Sequence, residues 1–392
     1  MKRDKGLYAL YLFYAVNFVA VGLTTYAPKF YGEIGLTDGQ IGLISAIMAA
    51  VALFAQPMWG LLADRARYMR SVVAGALAAA GLTCFLVLPA TRSFLPLLLV
   101  LTLYNTFQLP AMPVGNAIAI EYTGSRGHAF GPVRMMGTVG YQVGILVMGF
   151  VLAKSLRGLY PALGVMSLCA AGCALLLPPV RGYQHDEARV SPAVFLRDRR
   201  FLLLFAVAFL AHIGHQFNLS FFSKHLGDLG VSNTVTGFIN TLSVILEVPV
   251  LLFGDRIMKR MSLWTWMTLA LLIGAARFTL LSVVTSPVLI VLAQMLSFVH
   301  TACFEFFPFI YLGRVARKEL LGSAQSVFQT ISFGFARILG ALGGGLLADA
   351  AGIPAVYAGF GGLMLVTAAL FFLPMRKQAQ IDAMAQKTSK DV

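Results

Sequence analysis

The chain reads as long apolar runs separated by short polar stretches, and strict two-residue alternation is absent. Twelve runs are long enough to cross a bilayer, which takes about 20 residues of helix. They cover approximately 7–30, 39–62, 71–90, 94–120, 130–153, 158–179, 201–223, 234–254, 263–284, 287–312, 322–348 and 353–375. The expectation is an all-α membrane protein; an outer-membrane barrel would need alternating strands of about ten residues. The punctuation between runs repeats. Gly35-Leu-Thr-Asp-Gly-Gln-Ile-Gly42 returns as Gly230-Val-Ser-Asn-Thr-Val-Thr-Gly237, and each copy opens an apolar run. Those runs end in matching turns, Asp64-Arg65 with Arg67 and Arg70, then Asp255-Arg256 with Lys259 and Arg260. Two copies of one module are implied, with a substrate path on the axis between them.

The longest hydrophilic connector, Arg181 to Arg200, joins spans six and seven. The predicted organisation is therefore a six-helix bundle over 1–180, a linker over 181–200, a second bundle over 201–375 and a polar tail over 376–392. That tail reads as mobile or as a short surface helix. Composition agrees, with 58% hydrophobic and 12% charged residues, about half the charge of a soluble domain. Net charge is +14, which in a soluble chain would suggest nucleic acid. Here 22 of the 30 Lys and Arg fall on one side of the spans and 5 on the other, with Arg134, Arg277 and Arg337 inside them. The basic side is cytoplasmic by the positive-inside rule, so both termini face the cytoplasm and nucleic acid is not a partner. Met1-Lys-Arg-Asp-Lys5 leads directly into a full-length span rather than a cleavable signal. Cys84, Cys169, Cys173 and Cys303 lie within apolar runs and read as small packing residues, without metal spacing or a disulfide framework.

Ionisable groups at bilayer depth are costly and mark partners or wet cavities. Arg134, Glu247, Arg277, Glu305 and Arg337 are such groups, joined by His212, His215 and His300. His212 and His215 are three apart on one helix face, where imidazoles suit a proton relay. His300 and Glu305 are five apart, which on a regular α-helix sends them to different faces. Pro249, just past Glu247, frees a backbone carbonyl. Thr37 and Gln40 have capping-box spacing at the start of span two. The repeat also pairs Phe130-Gly-Pro-Val-Arg134 with Leu321-Gly-Ser-Ala-Gln325, making Arg134 and Gln325 pseudo-symmetric partners on opposite cavity walls.

Gln56-Pro-Met-Trp-Gly-Leu-Leu-Ala-Asp64-Arg65 and Phe130-Gly-Pro-Val-Arg-Met-Met-Gly-Thr-Val-Gly-Tyr141 give the chain a family resemblance. It resembles the major facilitator superfamily over nearly its whole length. Within that superfamily it is similar to the branch of lactose permease, the nucleoside–proton symporters and the 3-phenylpropionate transporter. The resemblance implies two pseudo-symmetric bundles totalling twelve transmembrane helices, alternating access, and a gating loop at Gly60, Asp64 and Arg65 with its echo at Asp255 and Arg256. The glycine that usually follows Asp-Arg is replaced by Ala66. The resemblance further implies that Arg134 binds substrate, that Tyr141 covers its apolar part, and that Glu247 and Arg277 serve proton coupling. Where the sugar permease has an acid partnering the arginine, this chain has Asn116; its proton-handling histidine becomes Ser297, and the carboxylate one turn later becomes His300. Ala211-His212 is similar to the phenylpropionate transporter instead.

The leading expectation is a proton-coupled importer of a small organic anion, such as an aromatic carboxylate, in the cytoplasmic membrane of a bacterium. An arginine without a carboxylate in a low-dielectric site calls for an anion from the substrate. Arg134, Tyr141, Asn116, Gln325 and His212 form the candidate substrate set; Glu247, Arg277, His300 and Glu305 form the coupling set. The rivals are a neutral sugar or nucleoside symporter using Asn116 and Gln325 as hydroxyl binders, a multidrug efflux antiporter, and a scaffold or receptor. No nucleophile–base pair, metal spacing or phosphate loop supports an enzyme, and neither a cofactor nor a metal is expected. The expected partners are a small-molecule substrate, protons and the bilayer, with the chain acting as a monomer.

Overall fold

The computed structural model describes residues 4–153, 155–181, 198–245, 257, 260–315 and 321–388. Each of the twelve expected runs contains a helix. Among the described residues, ten helices are long and apolar enough to cross a membrane. Span one is Lys5–Glu33, span two Asp38–Arg65, span four Phe94–Arg126, span five Phe130–Val151 and span six Leu156–Leu175. Span seven is Arg199–Asp228, span nine Leu263–Val283, span ten Pro287–Gly313, span eleven Val327–Ala351 and span twelve Ile353–Met384. Span three is the shorter Met69–Cys84, and span eight is described over Asn233–Ile245.

The repeated Gly-x-[Ser/Thr]-[Asp/Asn] punctuation builds the same turn twice. Gly35 has φ 84° and Gly230 φ 76°, the left-handed region that glycine enters without a Cβ penalty. Past the first glycine, the Leu36 amide donates to the Tyr31 carbonyl at 3.0 Å; past the second, Val231 donates to Leu226 at 2.9 Å. The hydroxyl two residues on then caps the next helix: Thr37 Oγ1 accepts from the Gln40 amide at 3.2 Å and Ser232 Oγ from Val235 at 3.3 Å. Thr37 also completes the capping box, its amide donating to Gln40 Oε1 at 3.0 Å. The motif ends one helix and starts the next, satisfying orphan groups at both ends.

Contacts divide the chain into two compact units, one of residues up to Glu187 with Ser223–Phe238, the other of Ala188–Phe222 with Ile239 onward. The first unit thus takes in the end of span seven and the start of span eight. Lys224 there lies 3.0 Å from Asp38 Oδ1 and 2.9 Å from Asp228 Oδ2. Asn233 Nδ2 donates to the Leu152 carbonyl at 2.7 Å, and Lys29 Nζ to the Val231 carbonyl at 2.8 Å.

In the first unit, spans one and five cross at near backbone contact. A Cβ added at Gly140 would lie 2.2 Å from the Ala15 carbonyl oxygen, and one at Gly144 2.6 Å from that of Val19. Spans seven and eleven do the same in the second unit, where a Cβ at Gly340 would lie 2.3 Å from the Ile213 carbonyl oxygen. Such small-residue crossings let helices pack where lipid offers no hydrophobic drive.

The region expected to be a tail continues span twelve as one helix, Ile353–Thr388, through Pro374. It is held to its own bundle: Asp382 Oδ2 accepts from Trp264 Nε1 at 2.8 Å and from the Tyr311 hydroxyl at 3.0 Å. At the other end of the chain, Asp4 caps span one, accepting from the Gly6 and Leu7 amides at 3.1 and 3.3 Å. It also takes hydrogen bonds from the Tyr122 hydroxyl and His128.

Candidate functional site

In the first unit, Arg134 is half-buried on span five with its guanidinium 4.8 Å from the Phe18 ring centroid. Phe18 stacks on Tyr14 at 6.2 Å, and the Tyr14 hydroxyl donates to Asn116 Oδ1 at 2.5 Å. Asn116 is therefore engaged by a neutral hydroxyl. Among the described residues no acid forms an ion pair with Arg134. The Tyr141 hydroxyl lies 3.0 Å from Thr25 Oγ1. One residue on, Gln142 buries both Oε1 and Nε2 without a hydrogen-bond partner, a costly arrangement that a bound polar ligand would relieve. The sequence offers only one weak signal for Gln142, that it lies eight residues past Arg134.

In the second unit, His212 is fully buried on span seven. Its Nδ1 lies 2.8 Å from the Ala208 carbonyl. A carbonyl only accepts, so Nδ1 carries the proton and the neutral ring keeps its Nε2 lone pair, which has no partner. His212 and His300 have ring centroids 5.1 Å apart, and His215 stacks on His300 at 4.2 Å. His215 Nε2 lies 3.3 Å from Glu305 Oε1.

This corrects the expectation that His300 and Glu305 point to different faces. Residues Thr301–Phe306 form a π-helical turn. Its i→i+5 hydrogen bonding widens the turn, so residues five apart stack rather than diverge. One ligating atom from each of His212, His300 and Glu305 lies within 4.8 Å of the others. His215, expected only as a relay partner of His212 and in neither the substrate nor the coupling set, joins the cluster. Its spacing of three from His212 was the available signal, but the π turn that brings its partners was not legible.

Arg277 is buried on span nine, donating from Nη2 to Gln294 Oε1 at 2.7 Å, with its guanidinium 5.0 Å from the Phe278 ring. Gln325 is half-buried near the start of the helix Leu321–Gln329, and Arg337 is exposed in the α-helical stretch Ala336–Ile338. Of the expected gating residues, Asp64 is half-buried and Arg65 exposed at the end of span two. A Cβ at Gly60 would meet nothing within 4 Å, so close packing does not require glycine there. Glu247, Asp255 and Arg256 lie outside the described residues.

The two crossings place these residues in register. Ala15 and Val19 approach Gly140 and Gly144, as Ile213 and Phe217 approach Gly340 and Gly344. Both neighbours differ by 198 residues, which makes Tyr14 the repeat counterpart of His212 and Asn17 that of His215; the glycines differ by 200, so Arg134 corresponds to Gly334 and not, as expected, to Gln325. The repeat thus carries the polar positions of span one onto the histidines of span seven.

Apolar helices long enough to cross a membrane, with polar clusters inside each of two units, define the class of secondary transporters. Residues 7–358 match the MFS_1 like family, and the chain belongs to it; it is a multi-pass membrane transporter of the major facilitator type, not an enzyme. It is 26% identical over 365 residues to the uncharacterized transporter YwbF of Bacillus subtilis strain 168, covering 91% of this chain and 89% of that one. To the maltose permease of Geobacillus stearothermophilus it is 29% identical over 275 residues, covering 68% of each. The crystal structure of the nucleoside transporter NupG has the same fold, with a TM-score of 0.84 at 19% identity, covering 95% of this chain and 99% of that one.

Proposed function

We propose that the chain imports a small organic anion together with protons, with an aromatic carboxylate the class that fits best. The observation that carries this reading is Arg134, which stands against Phe18 with no acid paired to it among the described residues. A carboxylate ligand supplies the missing charge through strong, charge-assisted hydrogen bonds. Phe18, Tyr14 and Tyr141 offer aromatic surface, and Gln142 offers unsatisfied polar atoms. Gln325 and His212 complete the proposed substrate set from the second unit.

Coupling is assigned to Glu247, Arg277, His300 and Glu305. The support within the described residues is the buried His300 beside Glu305, and Arg277 held by the neutral Gln294. Gly60, Asp64 and Arg65, with Asp255 and Arg256, are assigned to gating as the halves alternate access. In this proposal the protein works as a monomer in a bacterial cytoplasmic membrane, and the charge distribution supports both termini being inside.

Uptake in vesicles tests the central assignment. Arg134→Ala lowers carboxylate uptake by roughly 10- to 100-fold, the value of a hydrogen bond to a charged group, and Arg134→Lys recovers part of it. Unchanged uptake in Arg134→Ala overturns the reading.

A second reading has its own support. The Tyr14–Asn116 pair and the Gln108–Asn17 pair at 3.3 Å form a neutral lattice, and one relative is a maltose permease. Such a lattice suits a sugar or nucleoside hydroxyl. Thermal stabilisation of purified protein by a carboxylate but not by its amide supports the anion; equal stabilisation by both supports the neutral solute.

A further inference from the structure

We infer that the second unit holds a binding site for one divalent transition-metal ion, built from His212, His300 and Glu305 with His215 behind them. It draws His212 from the proposed substrate set and His300 and Glu305 from the coupling set, and its test reads metal binding rather than uptake, so the two readings fail separately. The donors come from three turns of backbone that the fold brings together: the middle of span seven, the residue before the π turn, and the π turn itself. Their ligating atoms lie within 4.8 Å of one another. A tetrahedral ion with bonds of about 2.1 Å needs donors roughly 3.4 Å apart, so modest rotamer shifts close the site.

The lone pairs available are the ones such an ion requires. His212 Nδ1–H is committed to the Ala208 carbonyl, leaving Nε2 buried and without a partner. His300 likewise buries Nε2 without a partner. Glu305 is oriented by His215 Nε2 at 3.3 Å. Metal-ligating histidines and carboxylates carry this kind of outer support, a carbonyl or a second side chain fixing the tautomer and the ring plane. Two imidazoles and one carboxylate select zinc-like ions over calcium or magnesium, which prefer all-oxygen sites. They also leave a coordination position open.

The positive charge nearby is held by a neutral amide. Arg277 is within electrostatic reach of His300 but donates to Gln294 at 2.7 Å. Phe304 and Phe333 line the cluster, their centroids 5.0 Å from His300 and 4.6 Å from His212 respectively. Beyond the donors, the surroundings are these rings and the buried Arg277, with Glu305 the part-exposed ligand.

The test uses full-length, tag-free protein in detergent, titrated with Co2+ and followed by its visible d–d bands. One saturable Co2+ per chain, displaced by Zn2+, is expected, and cobalt-edge X-ray absorption of the wild-type protein should show imidazole scattering from two ligands. His212→Asn and His300→Asn abolish the saturable band. His215→Asn weakens binding by roughly 10- to 100-fold, as loss of an outer-shell partner does. His128→Asn, in the first unit, leaves it unchanged. Absence of a saturable band in the wild type, absence of imidazole scattering, or equal binding by folded His212→Asn overturns the proposal. The wild-type spectra decide the question even if a variant does not fold.

Discussion

Spans one and five of the first unit and spans seven and eleven of the second make the same close crossing, yet they bury different chemistry beside it. In the first, Tyr14 and Asn17 form hydrogen bonds with Asn116 and Gln108. In the second, the equivalent His212 and His215 leave ring nitrogens without partners. The backbone solution is shared because only glycine allows the helices so near, whereas the side chains beside it are free to differ. One unit sets neutral hydrogen-bonded pairs about Arg134, which forms no ion pair among the described residues; the other sets unpartnered imidazole nitrogens against a carboxylate. An asymmetric task is thus laid on a symmetric scaffold.

The largest effects test whether the crossings are equivalent. Gly140→Ala and Gly340→Ala both force the helices apart and cost about 1–3 kcal/mol each by overpacking, read as a fall in detergent-solubilised melting temperature. A Cβ would meet a backbone oxygen in either case, at 2.2 and 2.3 Å. A loss in one variant only would show that the repeat does not carry equal structural weight.

Next comes the chemistry beside the first crossing. Asn116→Asp puts a carboxylate under the Tyr14 hydroxyl, on the ring that stacks against the Phe18 beneath Arg134. Carboxylate affinity should fall by roughly tenfold, about 1.4 kcal/mol, measured by thermal shift. An unchanged or higher affinity would break the contrast between an uncompensated cation and its neutral surroundings.

The chain ends extend the comparison on a smaller scale. Asp382 pins the last helix through Trp264 and Tyr311, so Asp382→Ala should destabilise the second unit by about 1–3 kcal/mol if both donors stay buried. The low end is expected because the site is half-buried. Calorimetry checks it.

Asp4 does the matching job for the first helix at a half-buried site. The Tyr122 hydroxyl bonded to it holds its carboxyl below the ordinary 3.8, with the Leu7 amide, His128 and the Gly6 amide acting in the same direction. A depressed pKa favours folding above the unfolded value and loses that contribution as pH falls through the folded one. Protection of the Gly6 and Leu7 amides, relative to their intrinsic exchange, should therefore hold at neutral pH and fall only below about pH 3.8. Asp4→Asn should lower that protection at neutral pH, with the difference vanishing once Asp4 is protonated. Equal protection of wild type and variant at pH 7 would show that the cap holds without the charge.

The sequence by itself determined the number of helical segments, because a run of about 20 apolar residues has few other uses. It also determined the turns that divide them: Gly35 and Gly230 adopt the left-handed conformation and Thr37 and Ser232 cap the following helices, as their spacing allows. It marked Arg134, Arg277, His212, His300 and Glu305 as unusual, since buried polarity is rare in such runs. What it could not decide was which of these meet. His300 and Glu305 looked divergent at 3.6 residues per turn, and only the π turn over Thr301–Phe306 stacks them. Gln142 and the glycine-mediated register of Tyr14 with His212 were equally hidden, because they depend on helices far apart in sequence packing to within a few ångströms. Helix existence is a local property of apolar length; the site depends on helix phase and crossing distance, which only the packed structure sets.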